Sequence, residues 1–342
     1  MEPLENVSLA QYSTMKLGGR AAYLLEITDP KIMIEAISSA KNYNLPIIMI
    51  GSGSNIIWRD EGFPGLVLIN RIKGFKIIEE DETNAYIEVG AGEVWDSVVG
   101  RCVDMGFSGI ECLSLIPGTA GATPIQNVGA YGQEISQVLV TITAYDLQTG
   151  TLVILPASDC GFNYRTSRFN NIDKGRFYIT AITLLVRKTK PMPPFYSAVE
   201  IYFKEHGITD YTTHNIRQAV IDIRRHKLPD PNLIANCGSF FANPIIDRSL
   251  LSTLEETYPA VPHWSVDNEK VKLSAAWLID QAGYHDFYDP ETGIATYPQQ
   301  SLVIVNRSAK TTGDLLAFTD RLKASIKAKF NIELIQEPQL LP

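Results

Sequence analysis

A few stretches carry residue types that could do chemistry. In ANCGSFFANP (235–244), Ser239 follows a glycine and precedes two aromatic residues. A hydroxyl enclosed by apolar neighbours can serve as a proton donor; a serine in a strand-entry turn gives the same pattern. No adjacent histidine pattern makes it a nucleophile. NYRTSRFN (163–170) offers Arg165 and Arg168. A guanidinium can hold a carboxylate or a developing oxyanion through a forked pair of bonds, and a plain surface arginine fits equally. IPGTAGATPIQNVGAYG (116–132) has four glycines, two prolines and no charged side chain. Such a loop lets backbone approach a flat or phosphorylated ligand closely, and structureless loops of this length are uncommon. GSGSNIIW (51–58) presents Gly51, Ser52, Gly53, Ser54 and Asn55 directly after a strand-like run. Its backbone N–H groups can point at phosphate oxygens, although it matches no standard nucleotide fingerprint and can be read as a structural turn. Glu333 and Glu337 lie near the chain end, where a carboxylate is ordinarily just solvated.

These groups need elements to hold them. Asp29-Pro30 reads as an N-cap followed by proline at the first helical position, with Met33, Ile37 and Ala40 on one face. LPIIMI (45–50) and GLVLIN (65–70) look like buried strands, and AYIEVGAG (85–92) like a strand running into glycines. Residues 93–106 carry a helical stripe at Val94, Val98, Val99 and Cys102. FYITAITLLVRK (177–188) is rich in β-branched and aromatic residues. KPMPPFYSAVEIYF (190–203) reads as a loop or lid. NIRQAVIDIRRHK (215–227) is an amphipathic helix stopped by the prolines of LPDP (228–231), which mark a domain boundary. Helices are expected over 272–283 and 311–330, and a strand over 301–306.

The 342 residues exceed one average domain. Hydrophobic residues are 45% and charged residues 20%, which suits a soluble chain with a real core. The net charge of −8 disfavours a nucleic-acid or anionic-membrane footprint while leaving room for a local basic pocket. Glu2 and Glu5 stand where a secretory signal would be positive, and no apolar run reaches the length of a membrane span. Four cysteines without a CxxC pair and five histidines without metal-ligand spacing point away from a disulfide framework or metal site, and towards a cytoplasmic setting.

Read in order, STMKLGGRA (13–21), IGSGSNII, VGAGEVWDSVV, GIECLSLIPGTAGATPIQNVGAYGQEI, NYRTSRF, RRHKLPDP, NCGSFFANP, KLSAAWLIDQAGY and QQSLVIVN resemble the UDP-N-acetylenolpyruvoylglucosamine reductase family from end to end. The resemblance implies a mixed α+β and α/β fold of three domains: a vanillyl-alcohol-oxidase-type FAD-binding fold plus a C-terminal substrate-binding α/β domain. It would divide the chain into FAD-binding subdomain 1 (1–75, with 330–342 returning to it), FAD-binding subdomain 2 (76–228) and the substrate-binding domain (229–329). The implied reaction is NADPH-dependent, FAD-mediated reduction of UDP-N-acetylglucosamine enolpyruvate to UDP-N-acetylmuramate in peptidoglycan precursor synthesis. Non-covalent FAD, a UDP-sugar and NADPH are the expected ligands. Neither a nucleic acid nor a membrane is implied, and the expected species is a monomer.

Residue by residue, the resemblance assigns catalysis to Ser239 as proton donor, to Arg165 as the charge holding the enol carboxylate, and to Glu337. This chain reads Gln336-Glu337-Pro338 where the family usually has Pro-Glu-Val. FAD falls to Gly51, Ser52, Gly53, Ser54 and Asn55 on the pyrophosphate, to Gly118, Thr119, Gly121, Ala122, Gln126, Asn127 and Gly129 on the flavin, and to Gly90–Gly92 on the adenine. The substrate falls to Tyr131, Tyr196, Lys227, Asn243 and Gln300. About 36 residues lie between Arg187 and Arg224, which matches the subgroup with a mobile tyrosine loop. Another FAD-dependent oxidoreductase of the same superfamily, an alcohol or lactone oxidase, is the alternative; it would react with oxygen and need neither Ser239 nor Glu337. A catalytically silent FAD or UDP-sugar binding protein is the reading from a different class.

Overall fold

The computed structural model describes residues 2–342. The chain forms two compact units. The first takes the residues up to 7, then 21–52 and 63–226; the second takes 8–20, 53–62 and 227–342.

The first unit contains two sheets. One orders Leu4–Ser8, Arg20–Ile27, Phe63–Asn70 and Ile47–Ile50, the last three mutually parallel. Helix Pro30–Asn42 covers it. The Asp29 side chain caps this helix by accepting from the Lys31 N–H (2.7 Å), and Met33, Ile37 and Ala40 are buried on the face anticipated from their spacing. The other sheet is antiparallel and orders Thr151–Pro156, Leu139–Asp146, Phe177–Arg187, Asn84–Gly90 and Phe75–Glu80. Helix Trp95–Asp104 turns Trp95, Val98, Val99, Cys102 and Val103 into its core. Burial pushes the Cys102 thiol up to about 12. Two polar side chains join the sheets: Asn70 Nδ2 donates to the Ile179 carbonyl (2.8 Å) and the Tyr178 hydroxyl to the Ile47 carbonyl (2.9 Å).

The segment read as a loop or lid over 190–203 is partly helical. Helix Ser197–Glu205 buries Val199 and Phe203, one turn apart, against Ile216, Ala219 and Val220 of helix Thr213–Lys227. Only the stretch before Ser197 is irregular, and Tyr196 sits exposed at its end.

The second unit has a four-stranded antiparallel sheet ordered Asn236–Ser239, Gln300–Asn306, Ile294–Tyr297 and Tyr288–Asp289. A three-stranded sheet orders Ile245–Asp247, Lys270–Leu273 and His263–Ser265. Gln339–Leu341 pairs in parallel with Ile56–Trp58. Helix Thr312–Phe330 starts on a capping box between Thr311 and Asp314 and buries Leu315, Phe318, Leu322 and Ile326. The helix expected over 272–283 is shorter than its sequence pattern. Val271 and Leu273 alternate inward in a strand, Ser274 caps a short helix at Ala275–Ile279, and a wider turn follows over Asp280–Tyr284. Among the described residues, no helix is long and apolar enough to cross a membrane.

Candidate active site

In the first unit, the 116–132 loop is laid against the glycine-rich end of strand Asn84–Gly90. The Ala120 N–H donates to the Glu93 carbonyl and the Gly121 N–H to the Ala91 carbonyl (both 2.9 Å); the Trp95 N–H donates to the Gly118 carbonyl (3.1 Å). Gly118 has φ 140°, open to glycine and strained for other residues. A Cβ at Gly121 would collide with Ala91, and one at Gly51 with the Thr119 side chain. The two glycine loops of this unit therefore meet at Gly51 and Thr119. Ala122 lies in the same short turn.

Further along, Gly129–Ala130 and Gln133–Glu134 form a minimal hairpin whose corner residues, Tyr131 (φ 49°) and Gly132 (φ 84°), are both left-handed. A second tight turn pairs Asn163 with Thr166 and carries Arg165 at φ 54°. Side chains clip the two turns together. Arg165 Nη2 donates to the Gly129 carbonyl (3.1 Å). The buried Asn127 donates to Glu134 (2.8 Å) and to the Asn163 carbonyl (3.2 Å). Arg168, the other arginine of this stretch, pairs with Asp173 (2.7 Å) and the Asp159 carbonyl (2.9 Å), a structural duty. Tyr131 meets Tyr196 edge-on with centroids 5.6 Å apart.

A charged group behind this loop gave no motif. Asp96 takes a bidentate pair from Arg217 (2.6 and 3.0 Å) and also accepts the Leu115 N–H (2.5 Å). Burial alone would raise the Asp96 carboxyl. The Arg217 hydrogen bonds, the Leu115 N–H and the charges of Arg217 and Arg224 outweigh it and hold the group below its usual range. Arg217 and Arg224 are seven residues apart on one helix, so they share a face. That spacing was the available signal.

In the second unit, Ser239 ends strand Asn236–Ser239 and pairs with Val303. Gly238 supplies the one left-handed residue beside it (φ 76°). Phe240 and Phe241 are fully buried. The following backbone pairs with the C-terminal segment. The Ala242 N–H donates to the Ile335 carbonyl, Phe241 bridges Gln336, and the Glu337 N–H donates to the Phe240 carbonyl (2.9 Å). This ladder brings Glu337 to the residue next to Ser239, despite almost a hundred intervening positions.

Gly53 is left-handed (φ 72°) and accepts the Thr14 N–H at its carbonyl (3.1 Å); a Cβ there would strike the Tyr12 carbonyl. The Asn55 carbonyl accepts the Gln339 N–H (3.0 Å). Asn243 Oδ1 accepts the Ala275 N–H (2.9 Å). Gln300 opens a strand opposite Tyr297, and Lys227 is exposed at its helix end.

A family model described as FAD binding domain matches residues 21–155. Another, described as UDP-N-acetylenolpyruvoylglucosamine reductase, C-terminal domain, matches residues 230–341. The chain is therefore of the flavin-dependent oxidoreductase class. A UDP-N-acetylenolpyruvoylglucosamine reductase of Pseudomonas putida is 36% identical over 98% of both chains, and one of Pseudomonas aeruginosa 35% identical over 99% of both. The crystal structure of the enzyme so named from Thermus caldophilus shares the fold, with a TM-score of 0.69 at 21% identity over 99% of this chain and 98% of that one. This chain belongs to the UDP-N-acetylenolpyruvoylglucosamine reductase family.

Proposed function

We propose that the chain reduces UDP-N-acetylglucosamine enolpyruvate to UDP-N-acetylmuramate, with NADPH as hydride donor and non-covalent FAD. Its family membership supports the activity. The observation that carries the residue assignment is the ladder of 240–242 with 335–337, which sets Glu337 beside the Ser239 turn.

The residues present fit the flavin nucleotide. Residues 51–55 and 114–132 carry no charged side chain, and their glycines permit the close backbone approach that an anionic diphosphate requires. When bound, FAD would supply the transfer of hydride from NADPH to the terminal carbon of the enol ether. Arg165 opposes the negative charge that then spreads into the substrate carboxylate, and its bond to the Gly129 carbonyl fixes its aim. Ser239 gives a proton to the neighbouring carbon. A serine hydroxyl is a weak acid, so it needs a neighbour able to relay a proton, and Glu337 fills that role. Lys227 neutralises the pyrophosphate, Asn243 and Gln300 hold the nucleotide, Tyr131 lines the substrate, and the exposed Tyr196 closes over it.

A single assay tests the activity. NADPH should disappear quickly only when the enolpyruvyl UDP-sugar is added to the yellow holoenzyme. Fast NADPH oxidation by oxygen alone, with no response to the UDP-sugar, would replace this reading with an oxidase. The same reading makes the protein a cytoplasmic monomer with FAD-binding subdomains at 1–75 with 330–342 and at 76–228, and a substrate domain at 229–329. Sedimentation velocity checks the first of these.

A further inference from the structure

Glu111 is a buried carboxylate of the first unit that the reaction above does not use; it is 2% exposed. Its two oxygens accept the Gly109 N–H (2.6 Å) and the Gln133 amide (3.0 Å), both neutral donors. Burying a carboxylate on neutral donors is costly, and an apolar side chain of like size would fill the same space at less cost. What the carboxylate adds is direction, because hydrogen bonds fix an angle and apolar contact does not. That direction leads to the Tyr131 turn. Gln133 belongs to the hairpin of Gly129–Ala130 with Gln133–Glu134, whose two-residue strands are too short to stand unaided. Its amide is held at both atoms: Oε1 accepts the Cys112 N–H (2.8 Å) while Nε2 donates to Glu111. Glu134, the next residue, accepts from Asn127 (2.8 Å), which also holds the Asn163 carbonyl of the Arg165 turn (3.2 Å). Arg165 bonds the Gly129 carbonyl on the facing strand (3.1 Å). The 111–114 turn has its own anchor. The Ser114 hydroxyl donates to the Glu111 carbonyl (2.6 Å) and accepts from Arg217 Nη1 (2.8 Å), the partner of Asp96. A continuous line of hydrogen bonds therefore runs from the Asp96–Arg217 pair through Ser114 and Glu111 to the hairpin that carries Tyr131 and meets Arg165.

We propose that Glu111 and Gln133 are positioning residues for the reduction. Their clamp fixes the hairpin, and the hairpin aims Tyr131 directly and Arg165 through the Gly129 carbonyl. Neither clamp residue touches the substrate. The inference deepens the reductase reading and rests on it. It makes a chemical demand that simple packing does not: the pair must supply one carboxylate and one amide, in either order. With the two exchanged, a carboxylate at 133 accepts both the Cys112 N–H and the amide at 111, and the oxygen of that amide accepts the Gly109 N–H.

The experiment compares three holoenzymes: wild type, Gln133→Met, and the exchanged double variant Glu111→Gln with Gln133→Glu. Each is titrated with the enolpyruvyl UDP-sugar by calorimetry, and its two half-reactions are followed by stopped flow. Gln133→Met loses both bonds of the clamp. Its affinity for the UDP-sugar and its saturating rate of flavin reoxidation should each fall about tenfold, as misplacement of binding groups does, while flavin reduction by NADPH stays within about threefold. The exchanged variant should return both quantities to within about threefold of wild type. Wild-type behaviour in Gln133→Met overturns the proposal. So does an equal fall in both half-reactions, which marks a merely structural role, and so does an exchanged variant as impaired as Gln133→Met. Should Gln133→Met fold poorly, Glu111→Gln alone carries the test, because it must leave one of the Gly109 and Gln133 donors without an acceptor. An about threefold loss confined to the UDP-sugar half-reaction is then expected, and no loss overturns the proposal. A wild-type holoenzyme that binds the UDP-sugar without being reoxidised by it would sink the reductase reading alone, and the affinities of the variants would still decide the clamp.

Discussion

The two units hold their functional side chains by opposite means. In the first, Leu115 (φ 56°), Asn127 (φ 50°), Tyr131 (φ 49°) and Arg165 (φ 54°) are all left-handed without being glycine. Such conformations cost on the order of 1–3 kcal/mol each and persist only where surrounding bonds over-determine them. Here those bonds are visible: Asp96 on the Leu115 N–H, Glu134 on Asn127 and the Gly129 carbonyl on Arg165. In the second unit, Ser239 and Glu337 are placed by strand register, and the one left-handed residue beside Ser239 is a glycine. Strain locks couple function to stability, whereas register lets the two be separated. Substitutions in the second unit should therefore remove chemistry from an intact scaffold, and substitutions in the first should move both together.

The sharpest case is Ser239→Ala. Flavin reduction by NADPH should be unchanged, while reoxidation by the UDP-sugar slows by about 10³-fold, within the usual range for a lost proton donor. Stopped-flow traces of the two half-reactions read this directly, and the melting temperature should barely move. If both half-reactions survive, Ser239 is not the donor. Glu337→Gln is next. A relay group is partly replaceable by water, so turnover should drop about 10²-fold with FAD retained. An unaffected rate would remove it from the site.

That contrast also explains what the sequence disclosed. Strands such as Phe177–Arg187 were legible from their β-branched and aromatic residues, and helices such as Thr312–Phe330 because their burial repeats at period 3.6. The glycine loops were legible by composition. The approach of Glu337 to the Ser239 turn was reached only through family resemblance, since pairing across almost a hundred residues leaves no local trace. The clip between the Tyr131 and Arg165 turns left no local trace for another reason, and the Asp96–Arg217–Arg224 group left only the seven-residue spacing of its arginines. Left-handed φ at tyrosine, arginine or leucine contradicts local preference, and a partly buried ion pair looks like surface charge in one dimension. The expected 272–283 helix failed where a capping serine interrupts a continuous apolar pattern.

Gly121→Ala tests the first unit's close packing. The new methyl would meet Ala91, which has no flexible end to move aside. A destabilisation of about 2 kcal/mol is expected for overpacking of this kind, together with loss of yellow colour on gel filtration. Loss of stability with FAD fully retained would uncouple the loop from the cofactor and break the proposed link between lock and function.

Asp96→Asn gives the smallest effect and the most specific one. The amide keeps the shape and can still accept the Leu115 N–H, so the change isolates the charge. Removing one partner of a partly exposed pair should cost about 1.5 kcal/mol, less than the full penalty of a deeply buried one. The sign with pH follows from the held-down carboxyl. A group whose folded pKa lies below its unfolded value of 3.8 stabilises the fold above that value, and the contribution disappears as pH falls through the folded pKa. Urea unfolding of the two proteins should therefore give a constant gap from neutral pH down to about pH 5, closing below the ordinary carboxylate range. A gap that persists at low pH would mean that Asp96 acts through shape and not charge.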